Sequence, residues 1–225
     1  MATVTMADHA EDPGLAPASA PVPEQPAGRR RRRRRTQAER SAATREKVIT
    51  AATECIAELG YAAATMTRIA ERAGVSWGAM QHQFGDKDAI IDAVVERSLE
   101  GFVASMRGLR RAEPILEDRV RAFTERAWQN FQGPGFKAVL NIVLQRRDKV
   151  ERIASVLGNE WSEIFGDLGL STEQLFAAQR VAFVMLAGIA TESVLIPGAP
   201  DTRMHFDILE RALIGMLSGG SASGR

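Results

Sequence analysis

The sequence predicts an all-α protein, on three observations. Apolar residues recur every three or four positions through most of the chain, and no stretch alternates as a half-buried strand would. Glycine and proline fall between the periodic stretches, at Gly60, Gly74, Gly133-Pro134-Gly135, Gly169 and Pro197-Gly198-Ala199-Pro200. Small oxygen-bearing side chains, Thr65, Ser76, Asp86 and Ser171, stand where periodic stretches begin, and each can accept a backbone N–H that a first helical turn leaves unpaired. Together they divide the chain into nine helices with no internal repeat.

Residues 1–28 are rich in Pro and Ala and poor in large apolar groups, so they are expected to be disordered. Arg29, Arg30, Arg31, Arg32, Arg33, Arg34 and Arg35 then form an unbroken basic run whose self-repulsion prevents it from folding alone. The first helix is expected from Ser41 or Thr44 to Leu59, burying Val48, Ile49, Ala52, Ile56 and Leu59, and Gly60 stops it. In the next stretch Met66, Ile69, Ala70 and Ala73 share one face; Gly74 ends it, Val75 plugs the angle, and Ser76 caps a further short helix from Trp77 to Phe84. Two short helices joined by a tight glycine-containing turn are a helix-turn-helix.

Asp86 caps a fourth helix from Lys87 to about Leu109, with Arg107, Arg110 and Arg111 near its negative pole. Later helices follow at Ile115–Phe131, Phe136–Arg146 and Asp148 to about Leu168. Ser171 and Gln174 make a capping box that opens Thr172–Leu195, and a last helix runs from Asp201 or Thr202 to Leu217.

The bulk numbers narrow the function. The net charge of +1 hides an asymmetry: residues 1–28 hold four acids and no Lys or Arg, residues 29–87 carry +7, and residues 88–225 carry −2. A basic segment on a near-neutral body points to a local polyanion contact. One cysteine, Cys55, excludes an internal disulfide and a multi-cysteine metal site; beside Ile56 it reads as a small core residue, with a redox sensor as the alternative. The three histidines, 9, 82 and 205, are scattered, and no metal spacing, nucleophile elbow or phosphate loop occurs, so no enzyme activity, cofactor or metal is expected. No apolar run reaches membrane-spanning length without polar interruption and no signal-peptide core opens the chain, so a cytoplasmic protein without a membrane partner is expected.

A helix-turn-helix lays its second helix in the major groove, where the first residues meet base edges. Here those are Ser76, Trp77, Gly78, Ala79, Gln81 and His82. Gly78 lets the backbone approach DNA, Ala79 can touch a thymine methyl, and Gln81 can pair bidentately with adenine. Trp77 either packs on the next helix or contacts a sugar or base. Met80 and Phe84, at i and i+4, read as core. Arg45 and Thr65 are phosphate candidates, and the arginine run reads as an arm for phosphates or a narrow minor groove, against a solvated tail.

At these residues the chain resembles the TetR family of bacterial transcriptional regulators. The matching elements are Thr65, the Ile69-Ala70-Glu71-Arg72-Ala73-Gly74-Val75-Ser76 run, Gly78, Phe84 and Lys87, after a first helix ending in Gly60-Tyr61. The resemblance covers about residues 40 to 95 and implies that Lys87 binds phosphate at the start of the fourth helix. The family often has Tyr-x-Tyr-Phe where this chain has Gln81-His82-Gln83-Phe84; amides still donate to phosphate, so Gln83 joins the DNA-binding set, but the operator sequence does not carry over.

The resemblance also implies a division into a disordered arm (1–35), a three-helix DNA-binding domain (36–86), a helical effector-binding and dimerisation domain (87–218) and a tail (219–225). A pocket for a small hydrophobic effector would take its walls from Phe102, Met106, Phe123, Trp128, Phe131, Phe136, Leu140, Leu144, Trp161, Phe165 and Met185. The helix 172–195 is apolar on most of its circumference, so it must touch more than one partner; with 202–217 it would form a four-helix bundle across the two-fold axis of a homodimer. The expected partners are therefore double-stranded DNA carrying a palindromic operator, the effector, and a second copy of the chain. The alternative is a nonspecific architectural DNA binder driven by the arginine arm.

Overall fold

Thr36 opens the first helix by capping it. The computed structural model describes residues 36–196 and 202–219; the arginine run Arg29–Arg35, the break at 197–201 and the tail from 220 lie outside them. Among the described residues are nine helices of eight or more residues and no strand. They are α1 (Gln37–Leu59), α2 (Met66–Ala73), α3 (Trp77–Phe84), α4 (Lys87–Met106), α5 (Leu116–Gln132), α6 (Pro134–Gln145), α7 (Val150–Phe165), α8 (Thr172–Leu195) and α9 (Arg203–Leu217).

Several boundaries differ from the sequence reading, and three of these helices show a clear local reason. Helix α1 starts at Gln37, earlier than its first apolar residue, because Thr36 Oγ1 accepts the Glu39 N–H (3.2 Å) while the Glu39 carboxylate accepts the Thr36 N–H (2.8 Å). Helix α4 stops at Met106 because Gly108 takes φ +74°, and a separate helical turn, Leu109–Ala112, follows. The stretch expected as one helix from Asp148 to Leu168 is α7 flanked by the 3-10 turns Arg147–Lys149 and Gly166–Leu168.

The side chains gather in two cores. The first joins α1, α2, α3 and the first half of α4, and it also takes Ala138 and Ile142 from α6. The second joins Phe102 and Met106 at the end of α4 to α5, α7, α8 and α9; at its centre Phe123 meets Trp161 and Phe165 edge to face, and those two rings lie tilted against each other. Helix α1 packs against α2, α3, α4 and α6 alike, so the helix-turn-helix has no core of its own.

Two polar devices tie these layers. Asp88, Asp92 and Glu96 lie four residues apart on one face of α4 and pair in turn with Arg146 (2.6 Å), Lys149 (2.6 Å) and Arg152. Asp148 accepts from both Arg146 and Lys149, and the Arg146 guanidinium above all holds its carboxyl down at about 2. The second device is Arg119, 3% exposed on α5. Its guanidinium donates to the carbonyls of Glu113 (2.8 Å), Pro114 (3.2 Å) and Ile164 (3.1 Å) and to Asp167 Oδ1 (2.7 Å), fastening the start of α5 to the end of α7.

Helix α8 corrects one expectation. Its segment Thr172–Ser193 is long and apolar enough to cross a membrane by length and composition, since its few charges lie near the ends and at Arg180. It is a helix of the protein body: Ala178, Ala182, Leu186 and Ala190 face the second core, while Phe176, Val181 and Val184 on the other side are exposed.

Replacing Arg119 removes one donor group from three carbonyls at once. Arg119→Met is expected to lower the unfolding free energy by about 3 kcal/mol. Urea denaturation followed by helical circular dichroism measures this; an unchanged midpoint would mean that water replaces the guanidinium without loss.

Candidate nucleic-acid interface

The turn between α2 and α3 is built from the caps that the sequence shows. Thr65 Oγ1 accepts the Arg68 N–H (3.4 Å) at the start of α2. Gly74 ends α2 at φ +63°, ψ 38°, and the Val75 N–H returns to the Ala70 carbonyl (3.1 Å). Val75 packs on the first core, and Ser76 Oγ accepts the Ala79 N–H (3.2 Å) to open α3.

With Met80 and Phe84 buried beneath it, α3 turns Ser76, Trp77, Gly78, Gln81 and His82 to the surface. Trp77 is 52% exposed; of its two expected placements it takes the open one. Gly78 has nothing within 4 Å of where a Cβ would stand, so the protein itself does not require glycine there. Ala79 is half-buried beside α1. Gln83 is also half-buried, and its amide donates to Ser41 Oγ, so of the two amides standing where the family often has tyrosine only Gln81 is free to face outward.

The remaining candidates frame this surface. Arg45 lies over the Phe84 ring, 4.7 Å from its centroid. Lys87 donates to the Tyr61 carbonyl (2.8 Å) and sits 4.3 Å from that ring's centroid, fixing the entry of α4 to the end of α1. The arginines from Arg29 to Arg35 fall outside the described residues. A cleft of about 300 Å³ separates the first turns of α1 from α3, lined by Gln37, Arg40, Ser41, Thr44, Ala79, His82 and Gln83. Gln37 and Arg40 precede the start that the sequence reading gives α1. The Thr36-x-x-Glu39 capping box was the signal that locates them.

Cys55 is buried beneath α2, and burial pushes its thiol above the ordinary value, so at neutral pH it remains a protonated core side chain. No group of His, Cys, Asp and Glu suited to hold a metal occurs among the described residues.

A second concavity, of about 530 Å³, lies in the body against α1. Phe102, Phe131 and Phe136 line it, joined by Leu99, Val139 and Phe183. The other expected pocket residues stand elsewhere. Phe123, Trp161 and Phe165 fill the second core, Met106 is buried at the end of α4, and Trp128 packs on Phe206. Leu140 and Met185 are half-buried outside the cleft, and Leu144 is 68% exposed. Periodicity marks each as apolar-facing but does not say what it faces.

An exposed recognition-type helix held by a capped tight turn, on a helical body with its own cleft, defines a helix-turn-helix protein. Residues 48–94 match the family model for bacterial regulatory proteins, tetR family. An HTH-type transcriptional regulator BetI of Stenotrophomonas maltophilia is 38% identical over 84 residues, which span 36% of this chain and 42% of that one. The matched part is thus less than half of that relative. An HTH-type transcriptional regulator CymR of Pseudomonas putida is 29% identical over 170 residues, covering 71% of this chain and 83% of its own. Among solved structures, the transcriptional regulator FadR of Bacillus subtilis in complex with stearoyl-CoA superposes with a TM-score of 0.60 at 20% identity, covering 78% of this chain and 98% of that one. The helix-turn-helix segment, residues 48–94, is thus of the TetR family of bacterial regulatory proteins.

The open space above Gly78 separates folding from DNA contact. Gly78→Ala is expected to raise stability by roughly 0.5–1 kcal/mol, as alanine replaces glycine inside a helix. The same methyl should obstruct DNA and weaken binding. Thermal melting and gel-shift titration of one preparation measure the two effects; stronger DNA binding by the variant would place Gly78 away from the duplex.

Proposed function

We propose that this protein is a dimeric, sequence-specific DNA-binding regulator of transcription in the cytoplasm, a repressor that a small hydrophobic effector releases from its operator. The observation that carries the reading is the outer face of α3, where Trp77, Gly78, Gln81 and His82 stand clear of the protein on a rigidly capped helix. Base contacts from these residues would read sequence, while Thr65, Arg45, Lys87 and the arginine arm would place the protein on phosphates. The domain division follows: an arm to residue 35, a reading unit to 86, and an effector-binding and dimerisation body beyond.

A dimer is needed for a palindrome, and the body offers a face for it. Phe176, Val181 and Val184 on α8 and Met204 and Ile208 on α9 are exposed apolar side chains on neighbouring helices. Pairing this face with itself across a two-fold axis would cover it and set two α3 helices for half-sites about 34 Å, or a multiple of that, apart. Release requires only that effector and DNA prefer different arrangements of the same helices.

Selection of bound duplexes from a random pool near physiological salt tests the reading. A recovered palindrome is the expected result, and Gln81→Ala should change the preferred base within each half-site. An unenriched pool would favour the nonspecific architectural reading, for which the seven consecutive arginines are the supporting observation. Deleting residues 1–35 should weaken binding to every duplex and flatten the logarithmic salt dependence by about 0.9 for each phosphate that the arm neutralises. An unaltered slope would show that the run does not touch DNA.

A further inference from the structure

Resting on the regulator reading above, we infer that the effector seat is the 530 Å³ cleft, that helix α1 of the reading unit is one of its walls, and that it takes a neutral, ring-bearing apolar molecule. The occupant therefore touches the DNA-reading unit directly, without α4 as the only relay.

The wall is explicit. Ile49, Thr50, Thr53 and Glu54 of α1 line the cleft together with residues of α4, α5, α6, α7 and α8. The same helix holds α3 from its other end: Ser41 accepts from Gln83, and Arg45 lies over Phe84. Thr50 and Ser41 are about 14 Å apart along one continuous helix, at 1.5 Å per residue. A displacement of α1 at Thr50 thus reaches the seat of α3 through a single rigid element.

The lining selects the ligand class. Phe102, Phe131, Phe136 and Phe183 present ring faces and edges to the interior, which suits a cyclic or aromatic body. The charges at the mouth are already matched within the protein. Arg97 of α4 is paired with Glu46 of α1 and lies 3.9 Å from Glu100, and Glu54 lies 4.0 Å from Arg72. The only charged side chains in the lining are Arg97, already committed to Glu46, and Glu54, which faces Arg72, so a carboxylate or a cation would meet a group that already has an opposite charge beside it. The Thr50 and Ser98 hydroxyls line the cleft and make no hydrogen bond among the described residues, enough for one polar group on the ligand.

The Arg97–Glu46 pair closes α1 onto α4 at the mouth. An occupant that parts the two helices works against this latch and carries α1 with it. By linkage, DNA that favours the closed arrangement lowers ligand affinity by the same factor that the ligand lowers DNA affinity.

The test uses the full-length protein and N-phenyl-1-naphthylamine, a neutral aromatic amine that fluoresces in apolar surroundings. Emission should rise on binding, and Val139→Trp, which fills the cleft from α6, should weaken binding at least about tenfold. Thr50→Trp and Thr53→Phe, which fill it from α1, should do the same while each melts within about 3 °C of the parent. Loss with Val139→Trp but not with either folded α1 variant would overturn the shared wall, and probe binding untouched by Val139→Trp would overturn the seat. Absence of probe binding, or displacement by 2-naphthoate at lower concentration than by 2-naphthol, would overturn the ligand class. The selected duplex should lower probe affinity; equal affinity with and without it would overturn the coupling. Apart from this duplex arm the probe measurements need no DNA, so a failed duplex selection would defeat the regulator reading and leave the seat, its wall and its ligand class to be judged by the probe alone.

Discussion

Helix α1 has to be buried on several sides at once, and the rest of the structure is arranged around that requirement. Val48, Ala52 and Ile56 are wholly inaccessible to water, closed over by α2, α3, α4 and α6. Three short helices alone cannot enclose a core large enough to be stable, since small units bury too little of their surface. The body completes that core by lending Ala138 and Ile142. The helix-turn-helix and the helices that enclose the cleft therefore share one core.

Much of this was legible in the sequence because short-range chemistry decides it. The turn from Gly74 to Ser76 is set by one glycine in a left-handed conformation and one serine cap, and both are visible as letters. Met80 and Phe84 were placed in the core by spacing alone, and they are there. The end of α4 was not legible, because apolar periodicity continues past Gly108 to Leu109, and only the backbone conformation of that glycine shows the break. The cleft was least legible. Phe123 and Phe131 have the same chemistry on the same helix, eight residues apart; one is packed among rings and the other borders open space. That difference depends on where α6 begins, at a Gly-Pro-Gly whose last residue lies so close to Ser98 that a Cβ would come within 3.1 Å of its hydroxyl.

Helix α8 shows how composition misleads when position is ignored. Its apolar residues divide between two tasks: small side chains, Ala178, Ala182 and Ala190, let it lie close against the body, and large ones, Phe176 and Val184, stand outward. A helix with two apolar faces of different texture has two different neighbours in prospect, a close-packed one within the chain and a broader one outside it.

The charged ladder along α4 has a geometric property of its own. Its acidic rungs recur every four residues, at Asp88, Asp92 and Glu96, and its basic rungs every three, at Arg146, Lys149 and Arg152. Were α4 to slide by one helical turn, about 5.4 Å, two of the three rungs would find a new opposite charge. Such a ladder holds α4 against the Arg146–Arg152 segment, which runs from the end of α6 through a 3-10 turn into α7, without fixing its register; that falls to Ile90, Ile91 and Val94, buried in the first core. The ladder behaves as a rail, and the apolar contacts behind it as the stop.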